Sequence, residues 1–204
     1  MSVIEVFADI TCPFTHVGLR RLVEHRARIG RTDVRLVVRA WPLELVNGAP
    51  LTGAFVTEEV EQIQKQVAPD LFQGFCPDVF PSSSLPALRL THDAYAISDA
   101  TGERVALELR DRLFERGEDI SDPAILAAVA RDHHVVVQRG AAKGDPVRDE
   151  WELGQRRGVL GSPHFFAGEV DVFCPALRIA QANGHLQIEF DQVRFTAFMS
   201  AFFA

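Results

Sequence analysis

Between Asp9 and His16 the chain reads Asp-Ile-Thr-Cys-Pro-Phe-Thr-His. It opens like a Cys-x-x-Cys redox box, but Thr15 stands where the second cysteine would be. Cys12 directly precedes Pro13 and an apolar pattern of helical spacing, so it is expected at the N-terminal cap of a helix. Unpaired backbone N–H groups and the positive end of the helix dipole favour a negative sulfur there. Thiolate is the nucleophilic form of cysteine, and thiol pKa falls in such surroundings. The Thr15 hydroxyl, one turn on, can donate a hydrogen bond to that sulfur. A protonated His16 would act in the same direction if it pointed inward. The competing reading is a cysteine that only packs or caps.

The elements that must position Cys12 follow from hydrophobic periodicity. Val3–Phe7 reads as a buried strand and Asp33–Trp41 as a second. The segment after Pro13, closed by Gly30, reads as the helix between them, a β-α-β opening. Pro42–Pro50 reads as loop. Helices are expected at Thr57–Val67, Leu85–Ser98, Gly102–Arg116, Asp122–Asp132 and from Pro146 to about Arg157. Strand character returns after Gly161 through Phe166 and again at Val170–Phe173, as a hairpin. A helix is expected from Pro175 to Asn183-Gly184, and another over Asp191–Phe203. Without the central helices this order is that of a thioredoxin-like fold, α/β in class. The expected parts are 1–42 and 146–204 for the thioredoxin-like domain and 43–145 for an inserted helical subdomain.

Two motifs carry a family resemblance. In Phe-Ala-Asp-Ile-Thr-Cys-Pro-Phe-Thr-His-Val-Gly, the residues Asp9, Cys12, Pro13 and Gly18 resemble the active-site segment of the DsbA-like branch of the thioredoxin superfamily. The second motif, Gly158-Val159-Leu160-Gly161-Ser162-Pro163, resembles the Gly-Val-x-Gly-x-Pro segment of the same branch. The resemblance implies that Pro163 is cis and packs against Cys12, with the Ser162 backbone free to pair with an extended substrate. It makes Cys12, Thr15 and Pro163 the candidate catalytic residues. Pro13, Phe14, Ser162, Trp41 and Cys174 are the candidate substrate-binding residues. The branch also holds 2-hydroxychromene-2-carboxylate isomerases and kappa-class glutathione transferases, which generally carry serine at the position of Cys12.

A dithiol resolves its own mixed disulfide, and Cys12 lacks that neighbour within the box. Monothiol chemistry is therefore expected, with an external thiol clearing the mixed disulfide. Cys174 is a second candidate for that task, an anion site at a helix start, or a structural cysteine. The acidic partner that glutathione-binding relatives keep near this position is absent. Three functions compete: a thiol-disulfide oxidoreductase, a thiol-dependent isomerase or transferase, and a binding module without turnover. No tightly bound cofactor is expected; a low-molecular-weight thiol such as glutathione is the expected co-substrate. The partner is thus a disulfide or small-thiol substrate. Relatives commonly form homodimers, but no feature here demands one.

The remaining candidates are weaker. His164 can serve as a proton donor if it faces the sulfur, although strand alternation argues otherwise. Trp41 can line a substrate surface or pack in the core. Glu58, Glu59 and Glu61 read as a solvated helix face. The three cysteines, Cys12, Cys76 and Cys174, lie far apart. They form neither a disulfide framework nor a zinc spacing, and no metal site is expected. Net charge is −7 with scattered basic residues, which excludes a nucleic-acid-binding face. No apolar run approaches the roughly 20 residues of a membrane helix. The N-terminal Met-Ser-Val-Ile-Glu-Val-Phe reads as a strand, so a cytoplasmic location is expected.

Overall fold

The computed structural model describes residues 2–136, 144–175, 177–182 and 185–203. Four strands make the central sheet, in the order β2-β1-β3-β4: β1 (Val3–Ala8), β2 (Arg35–Ala40), β3 (His164–Ala167) and β4 (Val170–Phe173). β1 and β2 are parallel, joined by α1 (Pro13–Arg28). β3 pairs antiparallel with both β1 and β4. This is the thioredoxin-like fold that the element order implies.

Eight α-helices surround this sheet among the described residues. Between β2 and β3 run α2 (Leu43–Asn47), α3 (Gly53–Gln66), α4 (Leu85–Tyr95), α5 (Asp99–Arg116), α6 (Pro123–Asp132) and α7 (Pro146–Arg156). Their starts carry local signals. Ser98 accepts from the Thr101 N–H at the head of α5, and Asp122, before Pro123, accepts from the Ala124 N–H at the head of α6. α5 ends at Gly117, whose φ of +64° suits a residue without a Cβ. Its inward face is the helical series Val105, Ala106, Leu109, Leu113, all essentially without exposure. α8 (Gln192–Phe203) closes the chain and buries Phe195, Phe198, Met199 and Phe202. Among the described residues no helix is long and apolar enough to cross a membrane.

The sheet separates two apolar clusters by alternation along its strands. Ile4, Val6, Ala8 and Phe165 face the larger one, which also holds Cys12, Val56, Val60, Cys174 and Leu177. Phe7 and Phe166 point the other way, against Trp41 and Val159. Burying each large apolar side chain stabilises the fold by about 1.5–3 kcal/mol.

Two expectations are corrected here. The loop reading of Pro42–Pro50 misses α2, a helix of a little over one turn. The helix expected from Pro175 is instead strand: β5 (Leu177–Ala182) pairs antiparallel with β6 (His185–Phe190) as a separate two-stranded sheet. The end expected at Asn183-Gly184 lies outside the described residues. Alternation explains the strands: Leu177 and Ile188 are buried while Arg178 and Glu189 are exposed. An Asn-Gly pair between alternating segments is moreover a strong hairpin signal, and it outweighs a proline start. The Ile188 N–H donates to Gln66 at 2.8 Å, tying β6 to the end of α3.

Gly154 on α7 lies against Trp41, and a Cβ there would stand 2.6 Å from the indole and 3.0 Å from Phe7. Alanine in a helix interior ordinarily stabilises by up to about 1 kcal/mol over glycine. Overpacking costs about 1–3 kcal/mol and should win. Gly154→Ala is therefore expected to lower the urea midpoint; a raised midpoint would show that Trp41 repacks freely.

Candidate active site

Three segments meet at one end of the central sheet. β1 runs out at Ala8 into the loop Asp9–Thr11 and then Cys12. β3 is antiparallel to β1, so its start, preceded by Ser162-Pro163, lies at the same end. β4 returns antiparallel to β3 and delivers Cys174 there as well. The register makes this explicit, with Phe7 opposite His164 and His164 opposite Phe173.

Cys12 is the N-cap of α1, with Pro13 in the first turn. Its thiol donates to the Ser162 carbonyl at 3.2 Å. The Ser162–Pro163 peptide is cis. The Ser162 hydroxyl accepts the Asp9 N–H at 2.9 Å and lies 2.7 Å from the Thr15 hydroxyl. Thr15 is fully buried, and its N–H donates to the Cys12 carbonyl at 3.1 Å. Gly18, one turn further on, faces Pro163 and Phe165.

The expected thiolate is not what this environment favours. Cys12 is only 3% exposed, and burial pushes its pKa up to about 11. The Thr15 hydroxyl, the Thr15 N–H and the Ser162 hydroxyl pull the other way, as the helix-start argument requires. They do not offset the loss of water, and the charge of Glu59 adds to the upward push. The resting sulfur is therefore a thiol, consistent with its donating to a carbonyl.

Glu58 and Glu61 on α3 are exposed, as a solvated face requires, but Glu59 is half-buried and departs from that reading. It lies one turn from Val56 and next to Val60, both buried. Burial and the neighbouring Glu58 push its own pKa up to about 7. A carboxyl between two apolar core positions is the signal in the sequence that marks it out.

Asp9 is completely buried and its carboxyl is well supplied with donors. Oδ1 accepts from the Thr11 N–H and hydroxyl at 2.8 and 2.9 Å. Oδ2 accepts from the Leu43 N–H at 2.6 Å and the Ser84 hydroxyl at 3.1 Å. Burial still raises its pKa against those bonds. Its carbonyl accepts from Arg110, a fully buried guanidinium that also donates to Ala106. Burial lowers the Arg110 pKa to about 10, so it remains a cation at neutral pH, and its Nε has no partner among the described residues. Neither Arg110 nor Ser84 is singled out by the sequence motifs. The one signal for Arg110 is a charge beside Leu109 on the apolar stripe of α5.

Several candidates lie elsewhere. Trp41 packs with Phe7, Phe166 and Val159 on the far face of the sheet, 5% exposed, so it lines no substrate surface here. Pro13 is buried and Phe14 is 9% exposed within the larger core. His16 bonds to Glu115 at 2.6 Å between Phe72 and Phe114, and burial lowers its pKa. No imidazolium stands beside the sulfur from that residue. His164 accepts from the Leu160 N–H and pairs with Asp171 on the face opposite Cys12. Cys174 does not begin a helix, so the dipole that would have lowered its pKa, and the anion site with it, are absent. Burial pushes that thiol up to about 12. Among the described residues no cluster of ligands could hold a metal ion.

The model of a family described as DSBA-like thioredoxin domain matches residues 3–187. The cytosolic disulfide reductase DsbM from Pseudomonas aeruginosa superposes with a TM-score of 0.64 at 14% identity, over 99% of this chain and 100% of that one. DsbM has also been solved with GSH. A probable DsbA oxidoreductase from Streptomyces coelicolor gives a TM-score of 0.65 at 18% identity, over 98% and 90% of the two chains. A 2-hydroxychromene-2-carboxylate isomerase gives 0.62 at 12% identity, over 84% and 88%. Among curated proteins none matches this chain. At these identities the superpositions speak for the fold alone.

The thiol pKa predicts a pH profile. Only thiolate alkylates, so the rate of Cys12 modification by iodoacetamide should climb about tenfold per pH unit from about 7 to 10. A plateau below about pH 9 would mean that the donors prevail over burial.

Proposed function

This chain belongs to the DSBA-like thioredoxin domain family, and on that premise we propose that it is a thiol-disulfide oxidoreductase whose attacking sulfur is Cys12. One observation carries the reading: the Cys12 thiol sits at the N-cap of α1, 3.2 Å from the Ser162 carbonyl. The N-cap supplies unpaired N–H groups to a developing negative charge. Thr15 and Ser162 add hydroxyl donors on either side of the same atom. The Ser162-Pro163 segment offers main-chain groups to an extended substrate beside it.

The reaction begins when the Cys12 thiolate attacks one sulfur of a substrate disulfide. A Cys12–substrate mixed disulfide forms, and the other substrate sulfur leaves and takes up the proton that Cys12 gave up. Thr15 cannot release the bound half, because a hydroxyl does not exchange with a disulfide. A sulfur from outside the box must do so. Glutathione is a suitable small thiol, since DsbM has been solved with it. Within this proposal residues 1–42 and 146–204 form the thioredoxin-like part and 43–145 the inserted helical part. A cytoplasmic location suits this reading, since the similarly folded DsbM is a cytosolic disulfide reductase.

A second reading keeps the same site for a glutathione-dependent isomerase or transferase. What favours it is Thr15, which puts a hydroxyl where the box would carry its second thiol. Cys12→Ser separates the two. Loss of glutathione disulfide reduction to background supports the oxidoreductase. Undiminished turnover of an isomerase or transferase substrate in Cys12→Ser would replace it.

Thr15→Cys is expected to complete a dithiol box. The two positions share the first turn of α1, and Thr15 already contacts Ser162. Mild oxidation of this variant should link Cys12 to the thiol introduced at position 15, read as that cross-link in the peptide map. A map without it would mean that position 15 cannot reach the sulfur.

A further inference from the structure

Cys174 stands across the ladder from Pro163, and its N–H donates to the Pro163 carbonyl at 2.9 Å. On the other side of the same dipeptide, the Cys12 thiol donates to the Ser162 carbonyl at 3.2 Å. Two of the three cysteines of the chain therefore flank Ser162-Pro163. Both face the same apolar cluster, together with Phe165 and Leu177, and so lie on one face of the sheet. Both are free thiols.

The backbone at Cys174 adds an independent observation. Its φ is +45°, a left-handed conformation in a residue that carries a Cβ. A Cβ disfavours that conformation, and glycine would adopt it freely. Strain of this kind persists where its surroundings impose it, and it gathers at functional sites. The two sulfurs also sense one another's charge, as an ionised Cys12 helps raise the pKa of Cys174. Cys76, the remaining cysteine, lies between α3 and α4 and outside this cluster.

We propose that Cys174 is the resolving thiol of this site, replacing the cysteine that the box lacks. The inference rests on the reading of Cys12 as the attacking sulfur. The Cys174 thiolate attacks the Cys12 sulfur of the mixed disulfide, and a Cys12–Cys174 bond forms as the bond to the substrate sulfur breaks. The substrate leaves as a thiol, taking up the proton that Cys174 lost. Across both steps the substrate disulfide gains two electrons and two protons, and the protein is oxidised to an internal disulfide. Two molecules of a low-molecular-weight monothiol restore it, leaving as their own disulfide. A bond of this kind needs Cα atoms within about 7 Å, and β3 lies between the strands that carry the two cysteines, so the segments at Ser162-Pro163 must yield for the sulfurs to meet.

The test uses the full chain carrying Cys76→Ser, treated with one equivalent of glutathione disulfide. Two molecules of glutathione should be released per disulfide consumed. The protein should carry no adduct, and its peptide map should contain a Cys12–Cys174 link. Adding Cys174→Ser should halve the release and leave glutathione on Cys12. In the Cys76→Ser protein, a lasting adduct on Cys12 beside a free Cys174 would overturn the pairing and leave the attacking role of Cys12 intact. A Cys12–Cys12 link between two copies would also overturn it. No release and no adduct would overturn both readings. The link in the Cys76→Ser protein is decisive even if the Cys174 variant fails to fold.

Discussion

Ser162 binds the two ends of the chain into one site. Its hydroxyl accepts the Asp9 N–H and pairs with the Thr15 hydroxyl, and its carbonyl accepts the Cys12 thiol, across sequence separations of 153, 147 and 150 residues. A buried polar group left without its partner costs about 1–3 kcal/mol, so these bonds are expensive to leave unmade. They in turn depend on register. Phe7 lies opposite His164, so the chain leaving β1 meets the chain entering β3 at Ser162. A slip by one residue would exchange Phe165 and Phe166 between the two cores as well as break the site. The apolar sorting of the sheet thus fixes the polar geometry at its end.

Within that geometry the charge state of Cys12 is a contest between magnitudes. A helix N-terminus favours a negative group by about 0.3–1 kcal/mol, and each hydroxyl donor by about 1 kcal/mol. Removing a charged group from water costs several kcal/mol. The outcome is a thiol at about 11 against an ordinary value of 9.0, on the order of 3 kcal/mol in favour of the neutral form. The dipole argument has the correct sign but is too small for a sulfur that is 3% exposed. The balance cannot be struck without knowing the burial.

The same distinction explains what the sequence discloses. Period and punctuation suffice for β1, α1, β2 and most helices, because Pro13, Pro123 and Pro146 mark helix starts and the apolar spacing marks faces. Cys12, Ser162 and Pro163 are legible through two short motifs whose order follows chain topology. The segment after Cys174 misleads when Pro175 is given more weight than the alternation of Leu177–Phe190. Trp41 and Glu59 escape for a different reason. Which face a residue takes at a strand end, and what covers a helix, depend on neighbours far away in sequence. Arg110 shows the limit most clearly. Its charge on an apolar stripe is visible, but its partner is a carbonyl of Asp9, 101 positions earlier.

The central helices therefore do more than fill space between β2 and β3. α3 brings Glu59, whose negative charge opposes ionisation of Cys12, together with Val56 and Val60, which are buried in the same apolar cluster as the sulfur. α5 brings Arg110, a buried cation whose own pKa is raised by the charges of Asp9 and Cys12. Interaction between charges is mutual, so Arg110 favours the thiolate as much as the thiolate favours Arg110. The box and Ser162 supply donors that are fixed in place by the sheet. The opposing influences come from helices in another part of the chain. The acidity of Cys12 is accordingly set less by the half box that contains it than by the helices packed over it.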